Sequence, residues 1–249
     1  MQWINGNAYF SHAVYQKTHL LHHKLKADVI DVDYRTYFAH HPLTRRCIAL
    51  AEFCYVPLFY YMTRIRLYRS IATHGRLGEK IRLLMVAVIR VGLAFSASLI
   101  NPYFLLLYGV AQGGFIHVIR MVDAFQHDFH EIRLDSTAAQ ERRKQPYELA
   151  HTFNAPLAGL IWDRLVLLNF VYHRAHHVIM TCPWYLLPQL HRKLFAVTDP
   201  SYDLSLRTVL AYYHRYRVVR LTSNAGIAMQ QGQITMTTFY GAMSDRIVG

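Results

Sequence analysis

The chain has 249 residues, of which 53% are apolar and only 17% are charged, whereas an average soluble domain has about 25% charged residues. The 27 Lys and Arg against 15 Asp and Glu give a net charge of +12. These basic residues lie between apolar segments and form no nucleic-acid-binding motif, so the composition favours a membrane protein that binds the lipid bilayer and no nucleic acid. Three cysteines are too few for the disulfide framework of a small secreted protein.

Three apolar segments follow the polar, histidine-rich residues 1–46: Cys47–Met62, Leu83–Ile100 and Tyr103–Ile119. A membrane-spanning helix needs about 20 residues, and the second and third segments approach that length. The first is shorter and contains Glu52 as well as an internal proline, so it is predicted to be an interfacial helix.

The predicted membrane hairpin, at about 83–119, has basic residues before and after it and none at its tip. By the positive-inside rule, both of its ends face the cytoplasm. The segment Leu157–Val171 is predicted to be an amphipathic surface helix, and another basic amphipathic helix is predicted after Ser201. Residues 1–224 are interpreted as one domain, and residues 225–249 as a polar, flexible tail.

Histidine supplies the candidate site. Two segments share the pattern His-x-x-His-His, and chance would give roughly 0.06 such motifs in a chain of this composition. The six residues are His19, His22, His23, His173, His176 and His177. The i, i+3, i+4 spacing places each triad on one face of a helix, where its imidazoles can converge on metal.

A third cluster follows the predicted hairpin, with Asp123 and His127 one helical turn apart. His127 is a candidate ligand, whereas His130 is either a ligand or only a neighbour. Two membrane crossings between the triads place both on the same side of the membrane. The absence of an HExxH motif from the sequence argues against a zinc hydrolase, and so many histidines favour a two-metal redox site that oxidises a lipid chain with O2.

The sequence resembles the membrane fatty acid desaturases, which are integral-membrane di-iron enzymes with three histidine boxes. Residues 169–177, followed by Pro183-Trp184-Tyr185 and a leucine-proline pair, are similar to the last box of that family. The first triad resembles the second box, and Asp123 with His127 resembles an additional ligand site after the hairpin.

The resemblance implies an all-α fold, with multi-pass membrane helices and a cytoplasmic histidine-rich helical cap. It also implies O2-dependent desaturation of a fatty acyl chain, with no catalytic residues beyond the metal ligands. The implied ligands to two iron ions are His19, His22, His23, His127, His173, His176 and His177. Asp123 and Asn169 are candidates for holding a metal-bound water or for supporting the ligands. Trp184 and Tyr185 are expected either in the wall of a substrate tunnel or in ordinary core packing.

Further partners follow from the same resemblance. The substrate would be a fatty acyl lipid, an acyl-CoA or an acyl chain on a carrier protein. Electrons would come from a separate ferredoxin or cytochrome b5 type donor, because the chain contains no heme, flavin or iron–sulfur motif.

The sequence departs from the family pattern in two respects, since no first histidine box precedes His19 and Arg174 stands where related boxes often have a smaller or amide residue. We expect either a longer protein of which this chain is the C-terminal part, or a partner that supplies the missing ligands, with His12, His151 and His191 as weaker substitutes. The competing interpretations are a lipid or carotenoid hydroxylase or ketolase, an inactive remnant and, more weakly, a metal sensor or transporter.

Overall fold

The computed structural model is mostly helical and describes residues 12–30, 32–133, 145–156, 161–195, 202–230 and 233–243. The chain forms two compact units. In the described residues, the first unit contains 12–19 and 46–118, and the second contains 20–45 and the described parts of 119–243.

The α-helices are α1 (His12–Leu25), α2 (Tyr34–His40), α3 (Pro42–Phe53), α4 (Leu58–His74), α5 (Leu77–Ile100), α6 (Phe104–Ala124), α7 (Gln145–Ala150), α8 (His173–Val178), α9 (Leu187–Leu194) and α10 (Leu206–Arg215). A π-helical turn covers Trp162–Val166, and short 3₁₀ segments cover Trp184–Leu186 and Val219–Leu221. The strands are β1 (Asp28–Ile30), β2 (Glu131–Arg133), β3 (Met229–Gln230) and β4 (Gln233–Ile234).

These strands depart from the all-α prediction. They form two small sheets, in which β1 pairs in parallel with β2 and β3 pairs antiparallel with β4. Each strand has only two or three residues, which is too short for an alternating apolar pattern to reveal it in the sequence.

Helices α5 and α6 contain the two apolar segments predicted to cross the membrane. Within the described residues, they are the two helices long and apolar enough to do so. Their 24 and 21 residues correspond to about 36 and 32 Å of helix. Large apolar side chains such as Leu84, Leu99, Leu106 and Val110 are exposed, as is typical of a helix that contacts lipid rather than a protein core.

The first of these helices begins several residues before the predicted apolar segment. The Glu79 carboxylate accepts a hydrogen bond from the backbone N–H of Arg76 at 2.9 Å, which satisfies one of the free donors at the start of α5. At the other end of α5, Asn101 is the C-cap residue. The proline that follows it, Pro102, keeps the chain from continuing as one helix.

The segment Cys47–Met62 forms parts of two helices rather than one. Helix α3 ends at Phe53 and α4 begins at Leu58, and Tyr55 between them has a φ of +59°. The following Pro57 cannot donate a backbone hydrogen bond, which explains why the helix is interrupted here.

The second unit is organised around the β1–β2 pair, in which Val29 lies opposite Ile132. Val29 packs in a small core with Leu25 and Ala27. Because β1 follows α1 and β2 follows α6 in the chain, this parallel pairing joins the segments that leave the two helices.

The predicted surface helix Leu157–Val171 is wrong in its extent, although residues 157–160 lie outside the described part. Among its described residues, helical structure is confined to Ile161 and to the π-helical turn Trp162–Val166. Leu168 and Asn169 then adopt positive φ angles of +49° and +55°, which are incompatible with a right-handed helix.

In the segment predicted to be a flexible tail, the described residues pack against the second unit. Phe239 is fully buried and its ring lies against those of Phe125 and Phe153. Gly241 has a φ of +84°, and a Cβ there would lie 2.9 Å from the carbonyl oxygen of Ala124. The segment therefore packs closely against its neighbours. Its polar composition does not indicate this packing, because the contacts are made with residues distant in the chain.

Candidate metal centre

The first triad lies at the C-terminal end of α1, where His22 and His23 are both buried. The helix ends at Leu25, and Lys26 takes a left-handed φ of +52° while its N–H donates to the carbonyl of His22. This termination turns the chain directly into β1. His19 lies one helical turn before His23 on α1 and is partly buried.

The second triad forms the short helix α8, and His173, His176 and His177 are all buried. The start of this helix is held by Asn154, whose side-chain oxygen accepts from the N–H of Arg174 at 3.1 Å. The predicted helical spacing of both triads is therefore confirmed.

His127 reaches the same region from the chain that follows α6. It is buried and pairs through a short antiparallel bridge with Thr152. The backbone N–H of Phe153 donates to the carbonyl of Gln126 at 2.9 Å, and so extends this pairing. The bridge holds Thr152 beside the His127 ring.

The Nε2 atoms of three histidines meet within one small volume. His173 Nε2 lies 2.7 Å from His127 Nε2, and His177 Nε2 lies 3.1 Å from His127 Nε2 and 3.2 Å from His173 Nε2. His22 joins them, since His22, His127 and His177 each offer a ligand atom within 4.8 Å of the others. These four residues are called the first histidine group below.

A second pair of nitrogens lies nearby, where His23 Nε2 is 3.1 Å from His176 Nε2. Each triad therefore contributes to both sets of nitrogens. Helix α1 supplies His22 to the first and His23 to the second, and α8 supplies His173 and His177 to the first and His176 to the second. His23 and His176 are called the second histidine group.

The hydrogen-bond partners of the Nδ1 atoms determine which nitrogen of each ring carries the hydrogen. His22 Nδ1 lies 2.9 Å from the carbonyl oxygen of Ala27, and His177 Nδ1 lies 2.7 Å from Oε1 of Glu148. Carbonyl and carboxylate oxygens only accept, so both Nδ1 atoms donate. In the neutral rings, Nε2 is then left with a lone pair.

The same conclusion holds for His127. Thr152 Oγ1 donates its single hydrogen to the carbonyl of Glu148 at 2.6 Å, so it can only accept from His127 Nδ1 at 3.3 Å. The Nε2 lone pairs of His127 and His177 therefore face each other at 3.1 Å, which is repulsive unless a cation lies between them.

Burial is the main cause of a lowered pKa at His127 and His177, and the neighbouring imidazoles add to it. Both groups have a pKa well below 6.5. The two rings are therefore neutral at pH 7, which is the form that binds metal.

The donor set fits a transition metal. Two nitrogens bound at about 2.1 Å to one ion, at right angles to each other, are about 3.0 Å apart, close to the Nε2 separations of 2.7, 3.1 and 3.2 Å. Imidazole suits iron as well as zinc and copper, and the two groups of nitrogens are compatible with two ions.

Two of the residues around this site have no counterpart in the sequence prediction. Glu148 is buried beside His177, and Thr152 supports His127. Neither belongs to a motif, and a single acid in a polar segment carries no signal that could have identified it.

The remaining predicted residues lie outside the metal clusters of the described part. His130 is exposed, so of its two interpretations the structure favours a neighbour. Asp123 is partly buried near the end of α6, while Asn169 is buried and its side-chain N–H donates to the carbonyl of Trp184 at 3.1 Å. Their roles toward a bound water stay predictions.

Trp184 and Tyr185 are 36% and 55% exposed, so core packing does not account for them. Their rings contact each other edge to face, with centroids 5.8 Å apart. A role in the wall of a substrate tunnel stays a prediction.

Among the weaker substitutes, the His12 side chain lies outside the described part. His151 Nδ1 donates to Asp128 at 2.8 Å. His191 is buried between Tyr172 and Phe195. Neither His151 nor His191 belongs to a metal cluster of the described residues.

These features define a mostly helical protein with two candidate membrane helices and a buried polyhistidine site that could hold metal. The model of the family described as fatty acid desaturase matches residues 2–209, and the chain belongs to that family. Membership indicates a desaturase-type oxidoreductase of lipid metabolism. No curated protein and no solved structure matches the chain.

Proposed function

We propose that this chain is an O2-dependent fatty acyl desaturase with two iron ions in its histidine site. The observation that carries the proposal is the convergence of Nε2 atoms from α1, α8 and His127 in two adjacent groups. Family membership supplies the reaction class.

The first histidine group would hold one iron, and His23 with His176 would contribute to the other, while the role of His19 as a further ligand stays a prediction. The chemistry that the irons supply when bound is O2-dependent removal of one hydrogen from each of two adjacent methylenes, with release of water. Two electrons come from the acyl chain, and two come from a separate ferredoxin or cytochrome b5 type donor.

The residues around the site orient the ligand imidazoles and bind the substrate. Thr152, Glu148 and the Ala27 carbonyl fix the Nδ1–H atoms of three ligand rings and so direct their Nε2 lone pairs inward. Burial of these rings keeps bulk water from the ligand nitrogens. The substrate would be a fatty acyl lipid, an acyl-CoA or an acyl-carrier conjugate, guided past Trp184 and Tyr185.

In the same proposal, α5 and α6 form a membrane hairpin with the histidine residues on the cytoplasmic side. The basic residues on both sides of the hairpin support this orientation. Reporter tags before Met1 and after Gly249 should then label the same, cytoplasmic side, and labels on opposite sides would contradict the hairpin.

The decisive experiment is iron analysis and product mass on the purified full chain in lipid vesicles. We expect about two irons per chain and, with O2 and a reduced donor protein, an acyl product lighter by 2 mass units. The His173→Ala variant is the matched control. A product heavier by 16 would instead establish a hydroxylase, and a chain without iron would favour a non-catalytic protein.

A further inference from the structure

Glu148 contacts a histidine of each histidine group although no sequence motif contains it. It lies on α7 and is only 2% exposed. A carboxyl group this deeply buried is costly unless charged or hydrogen-bonding partners surround it.

Its two carboxyl oxygens contact different partners. Oε1 accepts a hydrogen bond from His177 Nδ1 at 2.7 Å and lies 3.7 Å from His23 Nδ1. Oε2 forms an ion pair with the ammonium group of Lys26. One side chain on α7 therefore faces one histidine from each triad.

A Glu148 oxygen lies within 4.8 Å of a ring nitrogen of His23 and of His177, but the nitrogens that it faces are the Nδ1 atoms at the backs of these rings. The Nε2 atoms of His177 and His23 point away from it, toward His127 and His176 respectively. A carboxylate on Nδ1–H fixes the ring orientation and tautomer, and it raises the basicity of the opposite nitrogen.

We propose that Glu148 is a positioning residue that orients His177 in the first histidine group through a hydrogen bond and His23 in the second through charge attraction at 3.7 Å, and so supports both metal positions at once. This inference rests on the proposed function. The consequence is that neutralising this one carboxylate weakens both metals, although neither loses a ligand.

The test is Fe²⁺ titration of the full chain in lipid vesicles, comparing wild type with Glu148→Gln. The amide keeps the shape of the side chain but removes its charge. We expect the affinity for both ions to fall by about 10- to 100-fold, and the absorption bands of a Co²⁺-loaded sample, which report the strength and symmetry of the ligand field, to shift. Wild-type affinity in Glu148→Gln would overturn the proposal.

Two control variants separate positioning from general stability. Lys26→Met removes the ion pair but leaves the carboxylate, and Glu131→Gln removes an ion pair with Arg35 that includes no residue of the two histidine groups. Both should bind Fe²⁺ within about 3-fold of wild type. If Lys26→Met loses as much affinity as Glu148→Gln, the carboxylate acts through the ion pair and the positioning role is wrong.

A measurement on the wild type remains decisive if Glu148→Gln does not fold. In ¹⁵N-histidine NMR of the Zn²⁺-loaded chain, with His177 assigned by its loss in His177→Gln, Nδ1 should carry the hydrogen. Hydrogen on Nε2 would overturn the proposal. A wild-type chain that binds no iron would overturn the proposed function and this inference together, whereas normal iron binding with an insensitive Glu148 would overturn only the latter.

Discussion

His173 Nε2 lies 2.7 Å from His127 Nε2, although 46 positions separate the two residues in the chain. One ring comes from the second triad, and the other from the segment after α6. The first histidine group therefore exists only because the tertiary structure brings these two segments together.

Removing a single histidine should affect one metal position more than the other. We expect His127→Ala to lower the iron content from about two to about one per chain, because ion binding depends on the number of ligands at each position. His176→Ala should empty the other position. Inductively coupled plasma mass spectrometry on the purified variants checks both, with the exposed His130→Ala as the control. Undiminished iron in either variant would remove that residue from the ligand set.

The metal-free protein should become less stable in mild acid. The pKa of His127 and of His177 is lowered well below 6.5 in the folded chain, whereas the unfolded chain takes up protons near pH 6.5. Stability should therefore be constant above about pH 6.5 and fall as the pH decreases below it, by up to about 1.4 kcal/mol per pH unit for each of the two groups.

Thermal unfolding of the metal-free chain in detergent, from pH 7.5 to 5.5, measures this dependence. The double variant His127→Gln/His177→Gln should show a shallower decrease than wild type. A melting temperature that rises on acidification would contradict the assignment of two buried neutral rings.

Asp128 should stabilise the segment next to His127. One of its oxygens accepts from His151 Nδ1 at 2.8 Å, and the other accepts from the backbone N–H of Ala228, also at 2.8 Å. In Asp128→Asn, the amide N–H₂ would face one of these donors, so we expect a loss of about 2 kcal/mol in the free energy of unfolding. Urea unfolding followed by circular dichroism provides the value, and a change below about 0.5 kcal/mol would show that the contacts are not maintained.

Phe239 should be essential to the packing of the C-terminal segment. Its ring is fully buried between Phe125 and Phe153, and removing such a ring costs about 3 to 5 kcal/mol. Ile227, which is 56% exposed in the same segment, is the matched control, and its replacement by Ala should cost less than about 0.5 kcal/mol. Equal effects of Phe239→Ala and Ile227→Ala on the unfolding free energy would mean that the segment frays in solution.

The local sequence was sufficient to predict the helical triads and the two long apolar helices. The spacing of His173, His176 and His177 places them on one helix face whatever the rest of the fold does, because helix periodicity is a local property. The apolar segments within α5 and α6 are recognisable for a similar reason, since length and composition alone decide whether a helix can span a bilayer.

Other elements depended on longer-range contacts. The strands β1 and β2 exist because they lie beside each other, and neither has enough residues to show a periodic pattern. The turn at Leu168 and Asn169 needs positive φ angles that apolar composition does not indicate.

The sequence by itself determined which residues could bind metal, because ligand chemistry belongs to the side chain. Only the tertiary structure decided how α1 and α8 divide their histidines between two groups, and which oxygens hold the rings in place. Glu148 contacts His177 across 29 positions of the chain. A hydrogen bond of this kind depends on the relative placement of two helices, and no spacing rule within either helix can predict it.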